Sequence, residues 1–375
     1  MTRPRVRIER RLVQRRWLSV IVPLGSLVVA FAAIALVLVL TGHAPWPTFR
    51  RLFDAAFLAD GALSNTLIAA TPLAFTGLAA AFAFRMRLFN IGAEGQLYLG
   101  AIGAAGIALA LAGQSTVVVI AAMIVAGAAC GAAWGAIPGV LRAFAHTNEI
   151  ITSLMLNYVA ALLLNYLIFD SQSYWRDDSA TGQLFPQGKA LPEAATWPLS
   201  TIGSIAVPFG FLVAIVVAVA MWALYARTRF GFEAQVIADS PRAARYAGMR
   251  TRRKILAVLC LSGAIAGLGG ASQMGDFRHV LDARGLQQAN YGYTGIVVAA
   301  LARFNPFATL LVAFLLGGLQ NAGYTLQGAD FPSGLVGVMQ GMILFAMLGG
   351  ELLVRYRVVV ERPRRVPAAP AEATS

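Results

Sequence analysis

Ten apolar stretches, most of them near twenty residues long, recur along this chain, and that repetition leaves few ways to fold it. A helix rising about 1.5 Å per residue crosses a hydrocarbon core of about 30 Å in roughly 20 residues. The stretches are 18–40, 61–84, 91–112, 117–141, 148–169, 204–226, 254–274, 285–303, 307–325 and 333–354. The eighth is the weakest: Gly285 to Gly295 is polar and glycine-rich, the pattern of a broken or tilted segment. Composition agrees. The chain is 58% hydrophobic and 13% charged, whereas soluble domains carry about 25% charged residues. The expected fold class is all-α, a polytopic transmembrane helical bundle of about ten spans.

A net charge of +13 could point to nucleic acid, but the basic residues sit between apolar runs and sort to one side of a membrane. Nucleic acid is therefore excluded as a partner, and the lipid bilayer takes its place. With ten spans and the N-terminus inside, 24 of the 30 Lys and Arg residues fall inside, as the positive-inside rule requires. The expected topology is N-in and C-in. Residues 1–17 form a basic cytoplasmic N-terminus. The following run to Leu40 is too long for a cleaved signal peptide and reads as an uncleaved first span. Residues 18–354 form the transmembrane domain, with an exterior loop at 170–203 and an interior loop at 227–253. The tail 355–375 is short, basic and Pro/Ala-rich, and is expected to be disordered. Cys130 and Cys260 lie in apolar stretches and read as small buried hydrophobes.

Lipid supplies no hydrophobic drive between helices, so small residues that let backbones approach specify the packing. Gly127, Gly131, Gly135 and Gly139 form a strict four-residue ladder, and Gly263, Gly267, Ala271 and Gly275 form another. These are expected to be helix–helix contact faces; lining a permeation path is the alternative.

What is absent narrows the chemistry. There is no G-x-x-x-x-G-K-[ST] phosphate loop, no H-E-x-x-H motif and no Cys/His cluster, and the three histidines are scattered. Neither a metal site nor a catalytic residue is expected. Almost every charge lies at a span end or in a loop, Glu94 being the main exception, so an ion-coupled carrier with midplane carboxylates fits poorly.

Three polar constellations stand out. The densest is Phe89-Asn90-Ile91-Gly92-Ala93-Glu94-Gly95-Gln96, opening the third span. Glu94 in a first turn either braces the helix start through the dipole or helps form the polar wall of a translocation path. The second, His146-Thr147-Asn148-Glu149, opens the fifth span, with Asn148 as a helix cap and Asn157 as an interhelical hydrogen-bonder. Together with Asn65, these give Asn65, Asn90, Glu94, Gln96 and Asn157 as candidate pathway residues. The third is the interior loop, where Ser240 as N-cap, Pro241 at the first helical position and Gly248 past the end describe a short amphipathic helix of about seven residues. Arg242, Arg245 and Tyr246 would project from it, either into a soluble partner or onto anionic lipid. One internal echo also exists: Arg87-Leu-Phe-Asn90 and Arg303-Phe-Asn305 each precede a span in the same direction.

Those three constellations resemble the permease subunits of bacterial ABC importers of the branched-chain amino acid, ribose and nucleoside group, and within it the nucleoside or simple-sugar permeases. Phe89 to Gln96 looks like that subgroup's signature, and Thr147-Asn-Glu-Ile-Ile with Met155-Leu-Asn-Tyr158 resembles its fifth-span run. The stretch from Thr228 to Gly248 looks like the coupling-helix segment. Phe230, Gly231, Pro241, Ala243, Ala244 and Gly248 fit the family pattern; Gln235, Ala238 and Ser240 depart from it, the family usually carrying Arg, Gly and Asn there.

The resemblance covers roughly residues 60–355 and implies a function: translocation of nucleosides or related simple sugars across the inner membrane by the permease subunit of an ABC importer. It implies no cofactor in this chain, ATP and Mg being bound by a partner ATP-binding subunit. It also implies a second, non-identical permease and an extracytoplasmic substrate-binding lipoprotein or periplasmic protein. Gly231, Glu233, Ser240, Pro241, Ala243, Ala244 and Gly248 become candidates for ATPase coupling. The exterior loop, with Tyr174, Trp175 and Trp197 among acidic residues, becomes a candidate receptor-docking surface. The competing expectation is an ion-coupled secondary transporter of a small polar solute.

Overall fold

The computed structural model describes residues 5–10, 18–326 and 334–361. The rest of the terminal segments, including 362–375 of the tail expected to be disordered, lies outside the described residues. The chain divides into two compact units, one of residues 1–46 with 334–375 and one of residues 47–333.

The smaller unit opens with β1 (Arg5–Arg10) and α1 (Leu18–Leu40). The helix α2 (Pro45–Phe53) straddles the boundary and continues as a π-helical turn to Leu58. The larger unit continues with α3 (Ala62–Phe84), α4 (Ala93–Ala110), α5 (Thr116–Phe144) and α6 (Glu149–Asn165), the last extended by a π turn to Asp170. The exterior segment holds α7 (Ala180–Leu184) and a hairpin of β2 (Leu199–Ile202) and β3 (Ile205–Pro208). Then come α8 (Phe209–Arg227), α9 (Arg229–Asp239), α10 (Pro241–Tyr246) and α11 (Thr251–Ser272), with a π turn to Arg278. The larger unit ends with α12 (Ala283–Ala289), α13 (Tyr291–Leu301) and α14 (Pro306–Thr325). The smaller unit closes with α15 (Leu335–Arg355), which packs on α1 where Gly350 meets the Ser26 hydroxyl, and with β4 (Tyr356–Glu361).

Each expected span falls on helix, with three corrections. Six described helices are long and apolar enough to cross a membrane: α3, α5, α6 with its extension, α8, α11 with its extension, and α14. The expected span 285–303 is two helices, α12 and α13, broken at Asn290, whose backbone is left-handed at φ 50°. The expected span 204–226 starts at Phe209, because residues 199–208 turn back on themselves as the β2–β3 hairpin. The tail also differs from its composition. Tyr356–Glu361 pairs antiparallel with Arg5–Arg10, from Arg5 opposite Glu361 to Arg10 opposite Tyr356, and the β-branched run Val358-Val-Val360 favours extended backbone.

In the larger unit α3 is the central post. Its residues 70–83 are buried without interruption, so it is apolar all round rather than striped, as an encircled helix must be. Around it stand α11, α13 and α14. Glycine lets the neighbours close in: a Cβ on Gly77 would lie 2.8 Å from Val298 and 2.9 Å from Thr309.

Helices α5 and α11 approach closely along both glycine ladders. Gly131 faces the Gly263 carbonyl, and Gly263 faces that of Gly131. A Cβ on Gly127 would lie 2.7 Å from that of Ala271, and one on Gly135 would lie 2.6 Å from the Leu259 carbonyl. Gly139 has more room, 3.1 Å to Leu256, and Gly275 leaves the ladder to pack on the Trp197 indole. Helix α4 joins this contact through Gly100 against Gly267. Gly131→Leu is expected to cost about 1–3 kcal/mol by overpacking, seen as a lower melting temperature of the detergent-purified protein, while Gly139→Ala leaves that temperature nearly unchanged.

Candidate functional site

The α3–α4 connection, residues 85–92, is where the polar residues gather. Helix α3 ends with Leu88 N–H bonded to the Ala83 carbonyl, 3.2 Å, and the chain then runs unwound to Gly92 before α4 begins. Unwound backbone inside a bilayer must find partners within the protein. It finds them in Asn90 itself and in side chains of α6.

Asn90 is fully buried and fully engaged. Its Oδ1 accepts from Gly92 N, 2.9 Å, and Gln96 Nε2, 3.1 Å; its Nδ2 donates to Gln96 Oε1, 2.9 Å, and to Ser262 Oγ on α11, 2.8 Å. Ser262 passes the chain on to the Ala79 carbonyl of α3, 2.7 Å. Asn157, on α6, accepts from Gly95 N, 2.9 Å, and donates to the Ile91 carbonyl, 2.8 Å, and to Tyr293 Oη on α13, 3.3 Å. Ser153 Oγ, one turn earlier, accepts from Ile91 N, 3.2 Å.

Glu94 does not cap its own helix. The N-cap position of α4 is Gly92, with no side-chain cap. The Glu94 carboxylate instead accepts from Tyr98 Oη, 2.6 Å, and from Gly292 N in the first turn of α13. A carboxylate at a helix N-terminus answers the free N–H groups and the positive end of the dipole. Gly292 is required there, since a Cβ would run into the Glu94 backbone. Glu94 thus closes the break between α12 and α13 from a neighbouring helix, and Thr76 Oγ1 donates to the Tyr291 carbonyl at the same junction, 2.9 Å.

Of the five candidate pathway residues, the structure brings together Asn90, Glu94, Gln96 and Asn157. Asn65 stands apart, exposed in the first turn of α3. Sequence reasoning missed Tyr98, Ser153, Ser262 and Tyr293. Two were legible by spacing: Tyr98 is one turn from Glu94, and Glu149, Ser153 and Asn157 stand four apart on one buried face of α6. As drawn, the amides bind one another and the backbone, so the cluster bolts α4, α6, α11 and α13 together.

The second group is the α8–α11 connection. Ser240 caps α10, its Oγ accepting from Ala243 N at 3.3 Å; Pro241 takes the first position, and Gly248 is left-handed at φ 74°. The helix has six residues. Ahead of it lies α9, a helix within the expected interior loop 227–253. Gly231 sits at the α8–α9 corner against the Tyr225 backbone, and Ala244 is fully buried. Gly231 is fixed by that close backbone packing and Ala244 by its burial in α10, so bulky replacements at either act through folding. Ala243 and Gly248 are exposed, as are Arg242 and Arg245, and Tyr246 is 95% exposed. Glu233 bridges Lys254 and Arg229, 2.8 Å each; the hydrogen bond from Lys254, with help from Arg229, holds its carboxyl below the usual range. Glu233 thereby fastens α9 to the start of α11.

The exterior segment turns its tryptophans inward. Trp197 is buried against Gly275 and Phe209, and Trp175 Nε1 donates to the Ile102 carbonyl of α4, 3.0 Å. Of the three aromatics expected to face a receptor, Tyr174 is the exposed one, at 48%. Leu184 and Phe185 of the same segment are exposed too.

Residues 62–348 match the family described as branched-chain amino acid transport system / permease component. The chain belongs to this permease family. The matched region contains both polar groups. The chain is 33% identical to the glucose ABC transporter permease protein TsgB13 of Haloferax volcanii, over 98% of each chain. It is 32% identical to the guanosine ABC transporter permease protein NupP of Bacillus subtilis, over 88% of this chain and 93% of that one. It is 28% identical to the nucleoside ABC transporter permease protein NupB of Lactococcus lactis, over 95% and 96%. This is an integral membrane permease.

Proposed function

We propose that the chain is the permease subunit of an ABC importer that moves nucleosides or related simple sugars inward across the inner membrane. ATP is hydrolysed by a separate ATP-binding subunit. The observation that carries this reading is likeness over nearly the whole length to permeases named for guanosine, nucleosides and glucose. The chain crosses the membrane ten times with both termini inside, the arrangement that keeps 24 of 30 Lys and Arg in the cytosol. A second, non-identical permease completes the passage, and an extracytoplasmic binding protein delivers substrate.

The exposed face of α10 fits this scheme. Arg242, Arg245 and Tyr246 stand outward on a helix held by its own cap and by buried Ala244. Such a peg seats in a cleft of the ATPase. The cluster around Asn90 supplies neutral amides along the route, which suits an uncharged polar solute: each unmet polar group costs several kcal/mol in hydrocarbon. In this reading the amides exchange their internal partners for substrate as the passage opens.

The test is uptake of labelled guanosine, adenosine and glucose by cells expressing the full transporter, with ATP depleted and the ion gradient held. Uptake of at least one of these is expected to stop with ATP loss. Uptake that persists on the gradient alone sinks the reading and leaves an ion-coupled carrier. Tyr246→Ala with Arg242→Glu is expected to cut co-purification of the ATPase without altering the melting temperature of the permease. Unchanged co-purification would remove α10 from that interface.

A further inference from the structure

Two arginines leave the α3–α4 turn in different directions. Arg85 Nε donates to the Phe304 carbonyl in the α13–α14 turn, 3.0 Å, and its guanidinium lies 5.1 Å from the Tyr225 ring centre on α8. Arg87 Nη2 reaches Asp239 Oδ1, 3.2 Å. Asp239 is the last residue of α9 and directly precedes Ser240, the cap of α10. Arg87 is three residues from Asn90, where the buried cluster begins. One short turn therefore has the α9–α10 corner at one end and the polar bolt at the other.

Stability does not account for this pair. The two side chains are 67% and 62% exposed, and ion pairs so exposed add little to folding. The backbone makes the choice of arginine stranger. Arg87 is left-handed at φ 55°, the position after a helix that glycine fills with least strain. A side chain has been kept where none is favoured, and what it reaches is Asp239. The matching turn after α13 offers a comparison within the chain. Arg303 is likewise left-handed, at φ 49°, and Phe304 N–H closes α13 on the Ala299 carbonyl, 2.9 Å. Arg303 makes no ion pair among the described residues.

We propose that Arg87 is a positioning residue that ties the α9–α10 corner to the α3–α4 turn through Asp239, so that movement of α10 reaches the cluster beginning at Asn90. The proposal rests on the reading that α10 seats in a partner ATPase. The backbone of residues 87–92 is the lever. It is unwound, so it can shift without bending a helix, and it is pinned at its far end by Asn90 to Ser262 and by Ile91 to Ser153 and Asn157.

The discriminating variant is Arg87→Gly in the full transporter, reconstituted with its ATPase. Glycine suits the backbone there, so the melting temperature is expected to hold or rise and the ATPase to remain bound. Substrate moved per ATP hydrolysed is expected to fall about fivefold or more, the lower end of ordinary coupling between sites. Asp239→Asn should give the same loss, and Arg87→Lys should keep most of the coupling. The exchange Arg87→Asp with Asp239→Arg should restore part of it. Arg303→Gly should leave transport as it was. Wild-type transport per ATP in Arg87→Gly, or an equal loss in Arg303→Gly, overturns the tie. An unsubstituted permease that fails to bind the ATPase overturns the underlying reading instead.

Discussion

Asn157→Leu is expected to abolish uptake and to destabilise the permease by about 1–3 kcal/mol, chiefly from one buried backbone group left orphaned, with a part-buried one beside it. Those groups are Gly95 N–H and the Ile91 carbonyl, both bonded to the Asn157 amide. The buried Gly95 N–H has no water to fall back on inside the bundle. Tyr293 Oη, the third partner, is on a half-buried side chain and can find another. Leucine matches asparagine in size, so the loss is in polar pairing rather than volume. Uptake fails because Ile91 and Gly95 flank the unwound start of α4, and freeing them loosens the segment that carries Asn90 and Glu94. Melting of the purified variant beside uptake by cells carrying it checks both halves. An unchanged melting temperature with uptake lost would mean the amide acts on substrate rather than on α4. Asn65→Leu, at the exposed start of α3, is expected to leave stability and uptake near wild type; a large loss there would place Asn65 back among the pathway residues.

Hydropathy located the helices because a bilayer demands length and apolarity, and both are written in six of the described helices. It failed where the chain answers to tertiary partners. The break at Asn290 follows from Glu94 and Thr76, more than 190 residues away, meeting the start of α13. The β2–β3 hairpin is partly held by Ser64 on α3, which accepts from Ala206 N at 2.8 Å. Neither contact leaves a local trace. The glycine ladders were visible, but their register was not: Gly127, Gly131 and Gly135 oppose α11 closely, whereas Gly139 meets a flexible leucine and Gly275 a tryptophan. The polar residues were visible as a cluster, but spacing alone could not separate Asn65, which faces outward, from Asn90, which has no exposed surface at all. Ser240 and Pro241 were legible because capping is local chemistry. Helix α9 was overlooked, although its buried face, Gly231, Ala234 and Ile237, recurs every three residues and is itself a local helical signal.

Glu94 gives the sharpest contrast between two substitutions at one atom pair. Its carboxylate serves two donors, Tyr98 Oη and Gly292 N–H. In Glu94→Leu both lose their acceptor while buried, and the expected cost is about 2–5 kcal/mol, enough to loosen the α12–α13 junction and stop uptake. Glu94→Gln is different. The amide oxygen can face Gly292 N–H, which can only donate, and the amide nitrogen can face Tyr98, whose hydroxyl can turn and accept. Both contacts are then kept, and only the Tyr98 hydroxyl hydrogen and the second amide N–H are without an acceptor, so a smaller loss than in Glu94→Leu is expected, with uptake retained. The tolerance depends on that hydroxyl. Tyr98→Phe alone should be mild, about 1 kcal/mol, but in Glu94→Gln it strands the amide N–H₂, and the two substitutions together should cost more than their sum. A double-mutant cycle in melting temperature, run beside uptake, reads this directly. Strict additivity would mean that the hydroxyl does not serve Glu94. Loss of uptake in Glu94→Gln at full stability would mean that the negative charge itself acts in transport.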